Sequence, residues 1–378
     1  MNIMDKKIKV LVSGGGTGGH IYPALAIADK LKEMDPSSEI LYIGCSEGIE
    51  KDVVPRSGYP MKLVDARWLD HVTVTEIAKT GAKVSKGVLQ SLKIMKKFKP
   101  DVVIGTGGYV CFPVLIAGHM KRKLCYLHEQ NAFPGLANRT LERYVKNIFL
   151  GFPDARKYFK EPEKNIDAGN PVRKNFFSIS KRQAREKLGI PQDDFVVFTF
   201  GGSLGSVKIN EVACELIGLF NGHEGVSMIS GTGRWYYQEV VDKLSQDGIR
   251  LSENVRVKDY IENMDLHLLA CDVVISRAGA LSVAETTVCG KAAILIPSPN
   301  VTGNHQYYNA KAVADRGGAI LIEEKDIDIR EVVCDVMKLK NNPNLLREMS
   351  EASRKCAPDK ALDIICGKIT ADYEASRK

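Results

Sequence analysis

Short runs rich in valine and isoleucine alternate along this chain with longer stretches whose apolar residues recur every three or four positions. The runs at 8–13, 39–44, 101–105, 123–128, 147–151, 195–200, 226–230, 254–258, 272–276, 292–296 and 319–322 predict strands. Between them, segments such as 23–34 and 210–220 carry helical spacing. Alternation of this kind predicts an α/β architecture, with parallel sheets covered by helices on both faces. After Ile322 the pattern is helical and charged, and a last helix is expected at about 360–374.

Two of the predicted strands end in glycine. The run 8–13 passes into Gly14-Gly15-Gly16-Thr17-Gly18-Gly19-His20, and the run 195–200 into Gly201-Gly202-Ser203-Leu204-Gly205-Ser206. A strand that turns through glycines into a helix aims backbone N–H groups and the positive end of the helix dipole at one point. Its repetition predicts two Rossmann-like, doubly wound parallel-sheet domains facing each other across a cleft. The turn-forming Gly169-Asn170-Pro171-Val172-Arg173 places the boundary. The first domain is then 1–168, rejoined by a C-terminal helix within 360–378, and the second is 169–359. A faint echo between Asp101–Gly108 and Asp272–Gly279 agrees with duplication.

Composition narrows the picture modestly. A net charge of +7 over 378 residues is too small to argue for nucleic acid. Nine scattered cysteines without CxxC spacing predict neither a disulfide framework nor a zinc site, and suit a reducing cytoplasm. The N-terminal residues offer no export signal. The uncharged stretch 102–120 is interrupted by Gly105, Gly107, Gly108 and Pro113, so a strand, turn and buried helix fit it better than a membrane span. Lysines 79, 83, 86, 93, 96, 97 and 99, with no acid among them, share a segment whose Val84, Val88, Leu92 and Met95 have helical spacing. Such a basic amphipathic helix predicts docking on an anionic membrane surface, with Trp68, Leu69 and Val72 as a shallow apolar contact.

Candidate chemistry lies at strand ends. Gly14-x-Gly16-x-x-Gly19 fits a dinucleotide fingerprint, but the second strand closes without the acidic residue that would hold a ribose, Glu47 being poorly placed. His20 opens the first helix, where it is either a general base or a capping residue. His128-Glu129-Gln130-Asn131 puts four polar side chains at the end of a strand, facing a site or solvent. Glu285 lies near the start of the helix after Ser276-Arg277-Ala278-Gly279-Ala280, placed to accept from a ribose diol or to offset the helix dipole. Gln306 lies on another loop at the same sheet edge. Asp326-x-Asp328 is expected only to open a helix, and no metal is expected.

Six motifs occur here in a recognisable order: Gly15–His20, Gly107-Gly108-Tyr109-Val110, His128–Asn131, Gly169–Arg173, Gly201-Gly202-Ser203-x-Gly205 and Ser276–Ala280. Together they resemble the bacterial undecaprenyldiphospho-muramoylpentapeptide β-N-acetylglucosaminyltransferases. The resemblance implies a GT-B fold and inverting transfer of GlcNAc from UDP-GlcNAc to the muramoyl C4 hydroxyl of an undecaprenyl-linked precursor, in peptidoglycan synthesis. It implies a peripheral enzyme at the cytoplasmic face of the membrane, without a resident metal or cofactor, and with cell-wall or division proteins as further partners. Carried over by position, His20 and Glu129 are catalytic. Thr17, Gly18, Gly19, Asn131, Arg173, Ser203, Ile261, Ala280, Leu281, Ser282, Val283, Ala284, Glu285 and Gln306 hold the donor. Gly15, Gly16, Gly107, Gly108 and Tyr109 hold the acceptor diphosphate. Cys111-Phe112 departs from the family's usual Ser-Gly at that loop. The alternatives are a transferase glycosylating diacylglycerol, a nicotinamide-dependent oxidoreductase, and a non-catalytic protein that senses UDP-sugars.

Overall fold

The computed structural model describes residues 7–66, 74–202 and 204–377, with backbone alone at 74–81. These residues divide into two compact units: one runs to Pro171 and is completed by the segment from Lys360, and the other is Val172–Asp359. The division therefore falls after Pro171 rather than after Ala168.

The first unit holds a seven-stranded sheet of order β3-β2-β1-β4-β5-β6-β7. Its strands are β1 (Lys9–Ser13), β2 (Glu39–Cys45), β3 (Met61–Val64), β4 (Val102–Gly105), β5 (Leu124–Glu129), β6 (Asn147–Leu150) and β7 (Asn165–Asp167). The second holds a six-stranded sheet of order β10-β9-β8-β11-β12-β13. Its strands are β8 (Phe195–Phe200), β9 (Val226–Gly231), β10 (Val255–Lys258), β11 (Val273–Ser276), β12 (Ala292–Leu295) and β13 (Ala319–Leu321). All pairings are parallel. These are two doubly wound α/β units, the architecture the resemblance implies.

Alternation along β1 builds both faces of the first sheet. Val10 and Val12 join one core with Ile27 of the helix Gly18–Met34, whereas Leu11 joins the other with Leu115 and Leu127. The C-terminal helix Ala361–Ala375 buries Ile365 and Ile369 in the first of these cores, beside Val10 and Ile27. It therefore packs on the N-terminal sheet. In the second unit Val197, Ile275 and Ile294 meet Ile217, Val332 and Val336 from flanking helices.

The uncharged stretch 102–120 resolves into β4, a glycine turn and the helix Cys111–Met120. Among the described residues no helix is long and apolar enough to cross a membrane. The lysine-rich segment lies in the helix Val74–Phe98, where Met95 is buried and Lys93, Lys96 and Lys97 are exposed. Asp328 caps the helix Ile329–Asn341 by accepting from the Arg330 amide at 2.8 Å.

Candidate active site

Each sheet reverses its winding once, between β1 and β4 in the first unit and between β8 and β11 in the second. Loops leaving the carboxyl ends of the two strands at such a point diverge to opposite faces and open a crevice. The glycine turns occupy these crevices. In the first unit the turn after β1 meets the turn after β4, with the Gly15 amide 3.4 Å from the Gly107 carbonyl. Their approach is too close for side chains. A Cβ on Gly108 would collide with the Gly15 carbonyl, and one on Gly107 would stand 2.6 Å from His20 Nδ1. Gly107 also holds φ at +102°, a conformation open to glycine and strained for other residues.

His20 stands half-buried over this junction, with Nδ1 3.0 Å from both the Thr106 carbonyl and Gln130 Oε1. Thr106 in turn donates to the His20 carbonyl at 2.7 Å, so the first turn of the helix Gly18–Met34 is fixed to the end of β4. Thr17 caps that helix through its backbone. Tyr109 packs over Gly16, and burial pushes its phenol up to about 12, so it stays neutral.

Two sequence expectations change here. Gly15 and Gly16 were expected to give their amides to a diphosphate. Instead the Gly15 amide faces the Gly107 carbonyl, and the Gly16 amide donates to Glu50 Oε2 at 3.0 Å. Glu50, fully buried, also accepts from the Cys45 amide at 3.0 Å. It puts a carboxylate behind the loop, where it opposes an anion at Gly16. Glu129 was expected to be catalytic, but at 1% exposure it faces its own loop. It accepts from the Asn131 amide at 2.9 Å, Asn131 Nδ2 at 3.2 Å, the Gly135 amide at 3.3 Å and Asn138 Nδ2 at 2.7 Å. Burial raises its carboxyl, and these donors oppose the rise. The geometry gives Glu129 the task of shaping the loop that carries Asn131.

The Cys111-Phe112 departure is absorbed locally. Cys111 Sγ accepts from the Gly107 amide at 3.2 Å and lies 3.0 Å from the Ser13 carbonyl, while Phe112 packs half-buried against a core.

In the second unit Arg173 and Glu285 come together at 3.6 Å, with Arg173 about half exposed and Glu285 largely enclosed. Burial pushes the Glu285 carboxyl up to about 7, against the pull of Arg173. The helix Ala280–Val288 starts beside them, capped by the Gly279 backbone with no side-chain cap. Its Leu281 and Ser282 are half-buried, whereas Val283 and Ala284 are buried. Gln306 Oε1 accepts from the Ala278 amide at 3.2 Å and the Ser298 amide at 2.9 Å. It thereby clamps the loops after β11 and β12. Arg277 is committed to the Ile296 and Pro297 carbonyls and to Glu324. Ile261 is buried against Gly231 at the end of β9. Ser203, Trp68, Leu69 and Val72 lie outside the described residues, as does the side chain of Lys79.

Glu50, Thr106 and Asn138 were missed by sequence reasoning. Glu50 had a weak signal, being an acid shortly after the second strand, but it bonds the glycine loop instead of a ribose. Among the described residues no cluster of three or more His, Cys, Asp or Glu is arranged to hold a metal.

Comparison with known proteins identifies the family. Residues 10–150 match the glycosyltransferase family 28 N-terminal domain, and 196–364 match the family's C-terminal domain. The chain is 38% identical over 367 residues to a UDP-N-acetylglucosamine–N-acetylmuramyl-(pentapeptide) pyrophosphoryl-undecaprenol N-acetylglucosamine transferase of Alkaliphilus oremlandii, covering 97% of this chain and 100% of that one. A Clostridioides difficile protein of the same name is 40% identical over 98% of this chain and 90% of its own length. The crystal structure of Acinetobacter baumannii MurG superposes with a TM-score of 0.76 at 25% identity, over 97% of this chain and 100% of that one. The chain belongs to glycosyltransferase family 28, among its UDP-N-acetylglucosamine–N-acetylmuramyl-(pentapeptide) pyrophosphoryl-undecaprenol N-acetylglucosamine transferases.

Proposed function

We propose that the chain transfers N-acetylglucosamine from UDP-GlcNAc to the C4 hydroxyl of undecaprenyl-diphospho-N-acetylmuramoyl-pentapeptide, completing the disaccharide precursor of peptidoglycan. Similarity to proteins named for this transfer over nearly the whole of both chains carries the reading.

The residues divide the labour by unit. In the first, His20 is the general base: a ring nitrogen takes the acceptor proton as the hydroxyl attacks the anomeric carbon in a single inverting displacement. In the second, Glu285 accepts from the ribose hydroxyls, Ile261 meets the uracil through its backbone, and the Gln306 amide reaches the sugar. Arg173 and the start of the helix Ala280–Val288 stabilise the departing UDP, so this reading asks for no resident metal. Thr17, Gly18, Gly19 and Asn131 are assigned to the donor by their places in the family's motifs. Because Glu50 and Gly107 occupy the Gly16 and Gly15 amides, the acceptor diphosphate is assigned to Gly108, Tyr109 and the start of the helix Cys111–Met120.

The exposed lysines of the helix Val74–Phe98 suit peripheral attachment to the anionic cytoplasmic face of the membrane. UDP release measured with the muramoyl-lipid acceptor against a diacylglycerol control tests the function. Release with the diacylglycerol alone would overturn it.

A further inference from the structure

A chain of hydrogen bonds runs from the segment that precedes the second unit to His20, and its polarity is forced. A carbonyl has only lone pairs to offer, so the Gly169 carbonyl must accept from His128 Nε2 at 3.0 Å. His128 Nδ1 is then an acceptor, and it accepts a hydrogen bond from Gln130 Nε2 at 2.8 Å. The same amide nitrogen donates to the His128 carbonyl at 3.2 Å. This orients Gln130 with Oε1 toward His20 Nδ1, 3.0 Å away. From the other side the Thr106 carbonyl, also 3.0 Å from His20 Nδ1, imposes the same polarity.

His128 and Gln130 are essentially enclosed, at 0% and 2% exposure. Burial pushes His128 down to about 4, so it remains neutral and the chain keeps its direction across the physiological range. Asn170 Nδ2 donates to the Gln130 carbonyl at 2.9 Å, which fixes the backbone as well.

We infer that Gln130 and His128 are positioning residues that, with Thr106, hold His20 as its Nδ1–H tautomer, the form whose basic lone pair is on Nε2. The inference rests on His20 being the base. The tetrad His128–Asn131 thereby splits by function: alternate members His128 and Gln130 wire the base, while Glu129 and Asn131 shape the loop beside it. The amide of Gln130 also gives the imidazolium formed during turnover an acceptor for its Nδ1 proton.

Nitrogen NMR of the full chain labelled with ¹⁵N-histidine reads the tautomer directly. The expected spectrum has His20 Nδ1 protonated and Nε2 unprotonated; a proton on Nε2 overturns the inference. Gln130→Met is expected to lower kcat about ten- to hundredfold while UDP-GlcNAc affinity changes less than about twofold. His128→Gln keeps one donor and one acceptor and is expected to retain most of the turnover that His128→Leu loses. Equal losses in those two variants would count against the wiring. In a His20→Ala background Gln130→Met should cost nothing further, and an additive loss would show that Gln130 acts elsewhere. Undiminished turnover in His20→Ala alone would instead remove the base assignment.

Discussion

Arg173 and Glu285 face each other across 3.6 Å, one from the segment that opens the second unit and the other from the helix Ala280–Val288. The ion pair is imperfect, because enclosure holds the Glu285 carboxyl at about 7 despite the guanidinium. A ribose diol donates hydrogen bonds, and the carboxylate accepts them better than the acid does. UDP-GlcNAc binding should therefore tighten as pH rises through about 7. Glu285→Gln should abolish that dependence and weaken binding by about 1–3 kcal/mol. The stability of the unliganded protein should move the other way. A carboxyl raised in the folded state favours folding while protonated, and that contribution is lost as pH climbs through about 7. Calorimetric titration with the donor and denaturant melts between pH 5 and 8 read both effects.

Gly107 packs directly against the His20 imidazole. Gly107→Ala forces a methyl to 2.6 Å from His20 Nδ1 and leaves alanine at a φ of +102°. The backbone strain should cost about 1–3 kcal/mol of stability. Displacement of the ring should lower kcat about a hundredfold. UDP binding, which is assigned to the other unit, should be unchanged. A folded variant with full turnover would show that the imidazole position is unimportant.

The strands at the centre of each sheet were legible because they are buried on both faces and form continuous apolar runs, as Val102–Gly105 does. Two escaped notice, β3 and β7, and both are sheet edges. At an edge one flank is wet: Lys62 and Leu63 of β3 are exposed, and β7 is only Asn165–Asp167. The site divided in the same way. His20 and Glu285 sit where glycine turns announce a helix start, so position alone suggested chemistry. The role of Glu50 was hidden, because its bond to Gly16 depends on how a helix after β2 folds back. The orientation of Glu129 was hidden for a related reason. Sequence showed a carboxylate at a strand end, but its direction is set by Asn138, nine positions on, which takes it inward.

The returning C-terminal helix is latched by Asp372. Its carboxylate accepts from the Tyr126 hydroxyl at 2.8 Å and pairs with Lys146 and Lys368, each at 2.9 Å. Burial alone would raise this carboxyl, but these three partners outweigh it and hold it below the usual range. A depressed carboxyl contributes stability above its unfolded value and loses it as pH falls through the folded one. Asp372→Ala should cost about 1–3 kcal/mol in denaturant unfolding at pH 7. The difference from the parent protein should shrink in acid. A difference independent of pH would mean that packing, not charge, holds the helix.

The membrane attachment proposed for the helix Val74–Phe98 rests on a few lysines. Lys86 pairs with Asp65 at 2.7 Å, and Lys83 lies 3.7 Å from Glu47, so part of the positive charge is compensated within the protein. Lys93, Lys96 and Lys97 are exposed near the helix end. Near an anionic surface each is worth about 1 kcal/mol, and Debye screening shortens its reach as salt is added. Replacing all three by glutamine should lower the partition coefficient onto phosphatidylglycerol-containing vesicles by about a hundredfold at low salt. Raising the salt to about 0.5 M should bring the parent protein down toward the variant. Sedimentation with vesicles measures both. Binding that resists salt and the triple substitution would transfer attachment from charge to apolar insertion elsewhere on the chain.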